Sequence, residues 1–178
     1  MVDDAALADA VAWRNSRPRK RMGAGLLIRD EHGRVLLVEP TYKDTWELPG
    51  GGVEADESPA QCAARECAEE IGVELAVGRL LCVEWQEPEP DRSESIMWIY
   101  DGGVLAAELA ERITLPPDEL ASYRFCTPDE VRERMSLRLS RRVEAAVIAL
   151  SENRLLELEA GSPREPVARA AGDARPRP

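Results

Sequence analysis

Two short apolar runs, Ala24 to Arg29 and Arg34 to Glu39, flank Asp30-Glu31-His32-Gly33, and a glycine-bearing turn between such runs predicts a β-hairpin. Upstream, Leu7, Ala10, Val11 and Arg14 fall on one side of a helix over Asp3 to Arg14. A basic, proline-containing linker from Arg17 to Arg21 follows it, so the helix reads as an accessory element. Further strands are expected over Leu75 to Trp85 and Ser95 to Tyr100. The polar loop between them, Gln86 to Arg92, is too long for a tight hairpin. Asp101-Gly102-Gly103 signals a turn, Pro116-Pro117 marks a loop, and Tyr123 to Cys126 reads as a short last strand. Thr127-Pro128-Asp129-Glu130 has the form of a helix N-terminus, and another helix is expected from about Leu137 to Leu158. Beyond Ala160 there are too few large apolar groups to pack, which predicts a flexible tail. The expected organisation is an N-terminal helix and linker over 1–20, one domain over 21–159 and a tail over 160–178.

The strongest local signal lies in the middle of that domain. After Trp46-Glu47-Leu48-Pro49 come Gly50, Gly51 and Gly52, a run that permits sharp turns or close approach to the backbone. Ser58-Pro59-Ala60-Gln61 combines an N-cap serine, a proline at the first helical position and a glutamine at the third, which is the capping-box arrangement. A helix is therefore predicted to start at Pro59 and end at Gly72. At about 100° per residue, Glu66, Glu69 and Glu70 share one arc, and Ala60, Ala64, Cys67, Ala68 and Ile71 form a core-facing stripe of mostly small residues.

A solvated helix face normally mixes charge signs at i,i+4 spacing. Here Glu66 and Glu70 repel at that spacing, and Arg65 is the only cation of the helix. Clustered carboxylate oxygens are what hard divalent cations such as Mg²⁺ prefer. Glu57, just before the helix, lies where a guanidinium at Arg65 bridges it to the cluster and orients the carboxylates.

Composition narrows the function further. With 23 Lys and Arg against 34 Asp and Glu, the formal charge of -11 leaves no broad footprint for nucleic acid. The sequence lacks a long apolar run and its acidic start does not resemble a secretory signal, so no membrane association and a cytoplasmic location are expected. Cys62, Cys67, Cys82 and Cys126 form no CxxC pair and are expected to be reduced, buried thiols. His32 falls in a predicted turn and is given no catalytic part. Arg132, Arg134, Arg138, Arg141 and Arg142 form the one basic run, read as a solvated helix face paired with acids.

Gly51, Glu57 and the run Arg65-Glu66-Cys67-Ala68-Glu69-Glu70-Ile71-Gly72-Val73 resemble the Nudix box, G-x5-E-x7-R-E-U-x-E-E-x-G-U with U apolar. Cys67 is the departure, standing where a bulky aliphatic is usual; thinner packing without lost chemistry is expected. The resemblance extends over about Arg21 to Leu150. It implies an α/β fold, an α/β/α sandwich with a central mixed β-sheet. It also implies hydrolysis of a nucleoside diphosphate linked to another moiety, such as a nucleotide sugar, ADP-ribose or a nucleoside triphosphate. Carried over by position, Glu66, Glu69 and Glu70 are metal ligands for Mg²⁺ (or Mn²⁺), the Gly51 carbonyl is a further ligand, and Glu57 with Arg65 is the orienting pair. Glu69, Glu70 or a carboxylate outside the box, Glu119 or Asp118, is expected to take a proton from the attacking water.

Substrate choice is expected outside the box, in the loop between Trp85 and Ser95, in Trp46 and in the N-terminal helix. Trp85 and Trp98 are able to stack on a base, although tryptophans within strands ordinarily belong to the core. Pro88 matches a proline of some ADP-ribose-hydrolysing relatives, in a loop that holds two prolines. The expected partner is a small-molecule nucleotide diphosphate; a homodimer is left open. The competing reading is a non-catalytic Nudix module that binds a nucleotide or scaffolds a partner, and the intact set of Arg65, Glu66, Glu69 and Glu70 speaks for catalysis.

Overall fold

The structure, a computed structural model, describes residues 4–165. In chain order the elements are α1 (Asp4–Asn15), β1 (Arg21–Arg29), β2 (Val35–Pro40), β3 (Gly50–Gly52), α2 (Pro59–Ile71), β4 (Leu80–Gln86) and β5 (Ser95–Val104). They continue with α3 (Ala107–Ala110), β6 (Leu120–Cys126), α4 (Pro128–Arg134), α5 (Leu137–Ser151), β7 (Leu156–Glu159) and β8 (Ser162–Pro163). The strands make one eight-stranded sheet in the order β6-β2-β1-β5-β4-β7-β8, with β3 paired to β1 off that path. The sheet is mixed: β1 with β5 and β4 with β7 run parallel, the other pairs antiparallel.

Helices cover both faces. On one, Ala24, Leu26, Ile28, Leu36 and Val38 pack with Cys62, Ala63, Cys67 and Ile71 of α2. On the other, Leu27, Leu37, Ile99, Leu156 and Leu158 pack with Val131 of α4 and Val143, Ala146 and Ala149 of α5. This is the sandwich expected of the family resemblance. Cys62, Cys67, Cys82 and Cys126 are all buried and free.

The β1–β2 hairpin opens as it leaves its turn. The strands pair at Arg29 and Val35, then separate to admit the segment from Glu47 to Gly52. Val38 and Glu47 exchange backbone hydrogen bonds at 2.9 and 3.0 Å, and Leu26 N–H donates to the Pro49 carbonyl at 2.9 Å. The glycine run is thus clamped inside the sheet.

Several expected boundaries move. Strand β4 begins at Leu80 rather than Leu75. Strand β5 runs on through Asp101-Gly102-Gly103 to Val104; these glycines make a bulge, with φ of 75° at Gly103 and its N–H donating to Asp101 Oδ1 at 2.9 Å. Strand β6 starts at Leu120. The last helix stops at Ser151, because Asn153 adopts a left-handed φ of 51°. The alternating Leu156 and Leu158 then turn into the core as β7 alongside β4, where a helix had been expected. Ser162 and Pro163 pair with β7, so the start of the expected tail is part of the sheet; positions 166–178, like residues 1–3, lie outside the described residues.

Candidate active site

Helix α2 forms where its local signals place it. Ser58 Oγ accepts from Gln61 N–H at 3.3 Å while Gln61 Oε1 accepts from Ser58 N–H at 2.9 Å. Gly72 closes the helix at φ 68°, its N–H donating to the Ala68 carbonyl, a conformation glycine adopts without penalty. The buried positions are Cys62, Ala63, Cys67 and Ile71; Ala60, Ala64 and Ala68 are only half-buried. The helix is rolled so that Glu66 and Glu70 press on the glycine run while Glu69 stays largely exposed.

Arg65 organises that arc. Its Nε and Nη2 donate to the two oxygens of Glu57 at 2.9 and 3.0 Å, the paired geometry that lysine lacks. Nη1 donates to Glu66 at 2.9 Å and Glu69 at 3.0 Å, and Nη2 also reaches the Gly52 carbonyl at 3.1 Å. The hydrogen bonds from Arg65, helped by the Glu54 N–H, hold the Glu57 carboxyl below the usual carboxylate range. The same partners, Glu57 foremost, raise the guanidinium further.

Glu70 is different in kind. Its Oε2 accepts from Gly50 N–H at 2.8 Å, but burial, with the charges of Glu66, Glu47 and Glu119, pushes it up to about 8. The hydrogen bond opposes this shift without cancelling it. Glu119, expected from the sequence, is therefore close enough to act on Glu70. Asp118 instead offers its backbone carbonyl to Thr41 Oγ1 at 3.0 Å. Glu47 was not singled out by sequence reasoning; its signal was a carboxylate three residues ahead of Gly50.

Among the described residues, no three His, Cys, Asp or Glu side chains already converge as a metal centre. Arg65 draws Glu66 and Glu69 toward itself, and Glu69 keeps 60% of its side chain exposed. The donor set nevertheless fits a hard divalent cation. Among the described residues, Glu66, Glu69 and Glu70 each give one oxygen to a protein donor and keep the other free. A β-carbon at Gly51 would overlap the Glu66 carboxylate, so glycine there seats that group directly against the backbone. The Gly51 carbonyl, on the strand paired with β1, also takes a long contact from Cys62 Sγ, at 3.6 Å.

A cleft of about 440 Å³ adjoins the glycine run on the α5 side of the sheet. Gly50, Gly51 and Gly52, Gln86, Arg92, Ser95 and Met97 line it, together with Arg138 and Arg142. The loop between Trp85 and Ser95 thus reaches the cleft, as expected. Trp46 does not: it is 8% exposed and lies beneath Arg134, whose guanidinium sits 4.8 Å from the ring centroid. Trp98 packs on the α2 side of the sheet, and Trp85 is partly exposed with Nε1 donating to Glu94 at 2.9 Å. His32 is an exposed turn residue whose N–H donates to Asp30.

The arginine run is not one solvated face. Arg132 pairs on the surface with Asp129 and Glu144, whereas Arg142 is buried on Glu84 of β4. A sequence window around α5 holds no sign of Glu84, so nothing local marks Arg142 as buried.

A layered α/β/α fold with a capped, carboxylate-bearing helix under a glycine run defines a hydrolase of the Nudix class. A family model described as NUDIX domain matches residues 19–147, and the chain belongs to that family. A MutT-like protein of Streptomyces ambofaciens is 35% identical over 113 residues, covering 64% of this chain and 67% of that protein. Human diphosphoinositol polyphosphate phosphohydrolase 3-alpha is 45% identical over 73 residues, covering 40% of this chain; the match spans 44% of that relative's own length. Among solved structures, the MutT protein from Methanosarcina mazei Go1 superposes with a TM-score of 0.61 at 25% identity, covering 77% of this chain and 99% of that one. Family and site together make the chain a Nudix pyrophosphohydrolase. No helix of the described residues is long and apolar enough to cross a membrane.

Proposed function

We propose that this enzyme is Mg²⁺-dependent and cleaves the pyrophosphate bond of a nucleoside diphosphate linked to another moiety. The observation that carries the reading is the Arg65 fork on Glu57. It holds Glu66 and Glu69 beside a partly buried Glu70, against the glycine run that lines a cleft of about 440 Å³.

Glu66, Glu69 and Glu70, with the Gly51 carbonyl, would hold the cation. When bound it supplies neutralisation of the phosphate oxygens and a more acidic water, which a diphosphate shielded by its own charge requires. The chain's own groups do the rest. Glu57 and Arg65 fix the carboxylates' directions, Glu69, Glu70 or Glu119 accepts the proton of the attacking water, and the glycine run brings the backbone close to the ligand. Mn²⁺ has similar oxygen preferences and is expected to substitute. A module that only bound nucleotides would have no need to keep Arg65, Glu66, Glu69 and Glu70 as an intact set.

The test is phosphate release from a panel of nucleotide diphosphates and related pyrophosphates, first with Mg²⁺ and then with chelator. Turnover of at least one compound that stops on chelation is expected. Tight binding without turnover of any compound would favour the non-catalytic module, and turnover indifferent to chelator would remove the metal.

A further inference from the structure

We infer that the cleft on the α5 side is an anion subsite, centred on Arg142 and Arg138, which takes a phosphate carried by the moiety attached to the scissile diphosphate. This rests on the proposed hydrolytic function and narrows its substrate class. The lining contains Arg21, Lys43, Arg92, Arg138 and Arg142, and Glu47 is the one acid among them. Glu47 is itself matched by Lys43, 2.5 Å away. In a chain of net charge -11, so many cations around one concavity call for an anionic occupant.

Arg142 is the anchor. Its side chain is 7% exposed and its Nε donates to Glu84, which is fully buried. The other Glu84 oxygen is taken by Gly161 N–H at 2.7 Å. Each Glu84 oxygen thus already has a donor, while among the described residues Arg142 Nη2 is buried with no acceptor. A pair serving architecture alone would spend the guanidinium's forked donors on the carboxylate. Here Nη2 is left over, on a side chain that lines the cleft, and leaving such a donor unmet is costly.

Arg138 lies one turn earlier on the same side of α5. Among the described residues its side chain is tied only by a 3.3 Å contact to Glu89, which also pairs with Arg92 at 2.9 Å. Glu89 belongs to the loop before Ser95 and holds two rim arginines together. A phosphate entering the cleft can replace it as their shared acceptor. Gly50, Gly51 and Gly52 line the cleft and also carry the contacts to Glu66 and Glu70, so a ligand in the cleft lies against the backbone that seats the carboxylates. A neutral sugar would bring no charged acceptor to Arg142 Nη2.

The experiment is calorimetric titration of the parent protein with inorganic tripolyphosphate in buffer containing chelator, so that binding is read without metal or hydrolysis. Arg138→Gln and the double variant Glu84→Gln/Arg142→Gln, which removes both charges of the buried pair together, are titrated alongside. Parent binding, weakened about 10-fold or more in each variant, is expected, since a charged hydrogen bond contributes that much. Arg138 is half-exposed, so its variant decides the matter even if the double variant fails to fold. A parent that does not bind, or a folded Arg138→Gln that binds equally well, overturns the subsite. In the presence of Mg²⁺, Arg138→Gln should raise KM for a diphosphate whose moiety bears a further phosphate more than KM for a nucleotide carrying a neutral sugar; equal effects on both would also overturn it. Tripolyphosphate binding in a protein that hydrolyses nothing would remove the hydrolytic reading and keep the subsite.

Discussion

The carboxyl of Glu70 accepts a hydrogen bond from Gly50, yet in the metal-free protein it is pushed up to about 8, because burial outweighs that bond and Glu66, Glu47 and Glu119 add repulsion. The sign of the pH dependence follows. An unfolded glutamate titrates near 4.5 and the folded one near 8, so between these values the folded state binds more protons. The stability of metal-free protein should therefore fall as pH rises from about 4.5 to about 8, and level off above. Glu70→Gln keeps the shape and cannot ionise. Its melting temperature in chelator is expected to exceed the parent's at pH 8 and to vary less with pH across that window. With Mg²⁺ the same variant should lose most of its turnover, since a ligand must shed its proton to bind metal. A variant whose melting temperature tracks the parent's at every pH would take Glu70 out of this account.

At the scale of elements, the site depends on a helix and a glycine strand meeting without side chains between them. The cap residues of α2 set where the helix begins, and β3 is held by β1 through Gly23 to Gly25. Gly51 and Gly52 are adjacent but not equivalent. A β-carbon at Gly51 would strike the Glu66 carboxylate, whereas one at Gly52 meets nothing within 4 Å. Gly51→Ala is expected to reduce kcat/KM by about 10-fold or more, as displaced metal-orienting contacts do, and Gly52→Ala by no more than about 2-fold. Steady-state kinetics on the two variants checks this, and equal effects would mean that the loop matters for flexibility rather than for close approach.

At the scale of the molecule, the Glu84–Arg142 pair joins the middle of the sheet to α5, and Gly161 adds the chain beyond β7 to the same carboxylate. Breaking a buried pair from one side leaves an uncompensated charge. Glu84→Ala should cost about 3 to 5 kcal/mol of stability, measured by urea denaturation. The double replacement of both residues by glutamine should cost less than Glu84→Ala does. A single variant within about 1 kcal/mol of the parent would show that water already reaches the pair.

What the sequence determined by itself was local. The limits of α2, the Arg65 link to Glu57 and the acidic cluster were all legible, because caps, spacing and glycines act over one or two turns and do not need the rest of the chain. Glu119 was also named in advance, although only the fold brings its charge to bear on Glu70. Tertiary structure decided what depends on distant partners. It buried Trp46 under Arg134, turned Asp101-Gly102-Gly103 from a turn into a bulge, and drew Leu156 and Leu158 into a strand beside β4. It also divided one basic run between solvent and cleft. Leu156 fits a helix as readily as a strand until β4 offers unpaired backbone groups, and Arg142 is one surface arginine among several until Glu84, far off in sequence, lies beneath it. Short-range hydrogen bonds are written in neighbouring residues, whereas burial is set by whatever the folded chain places opposite.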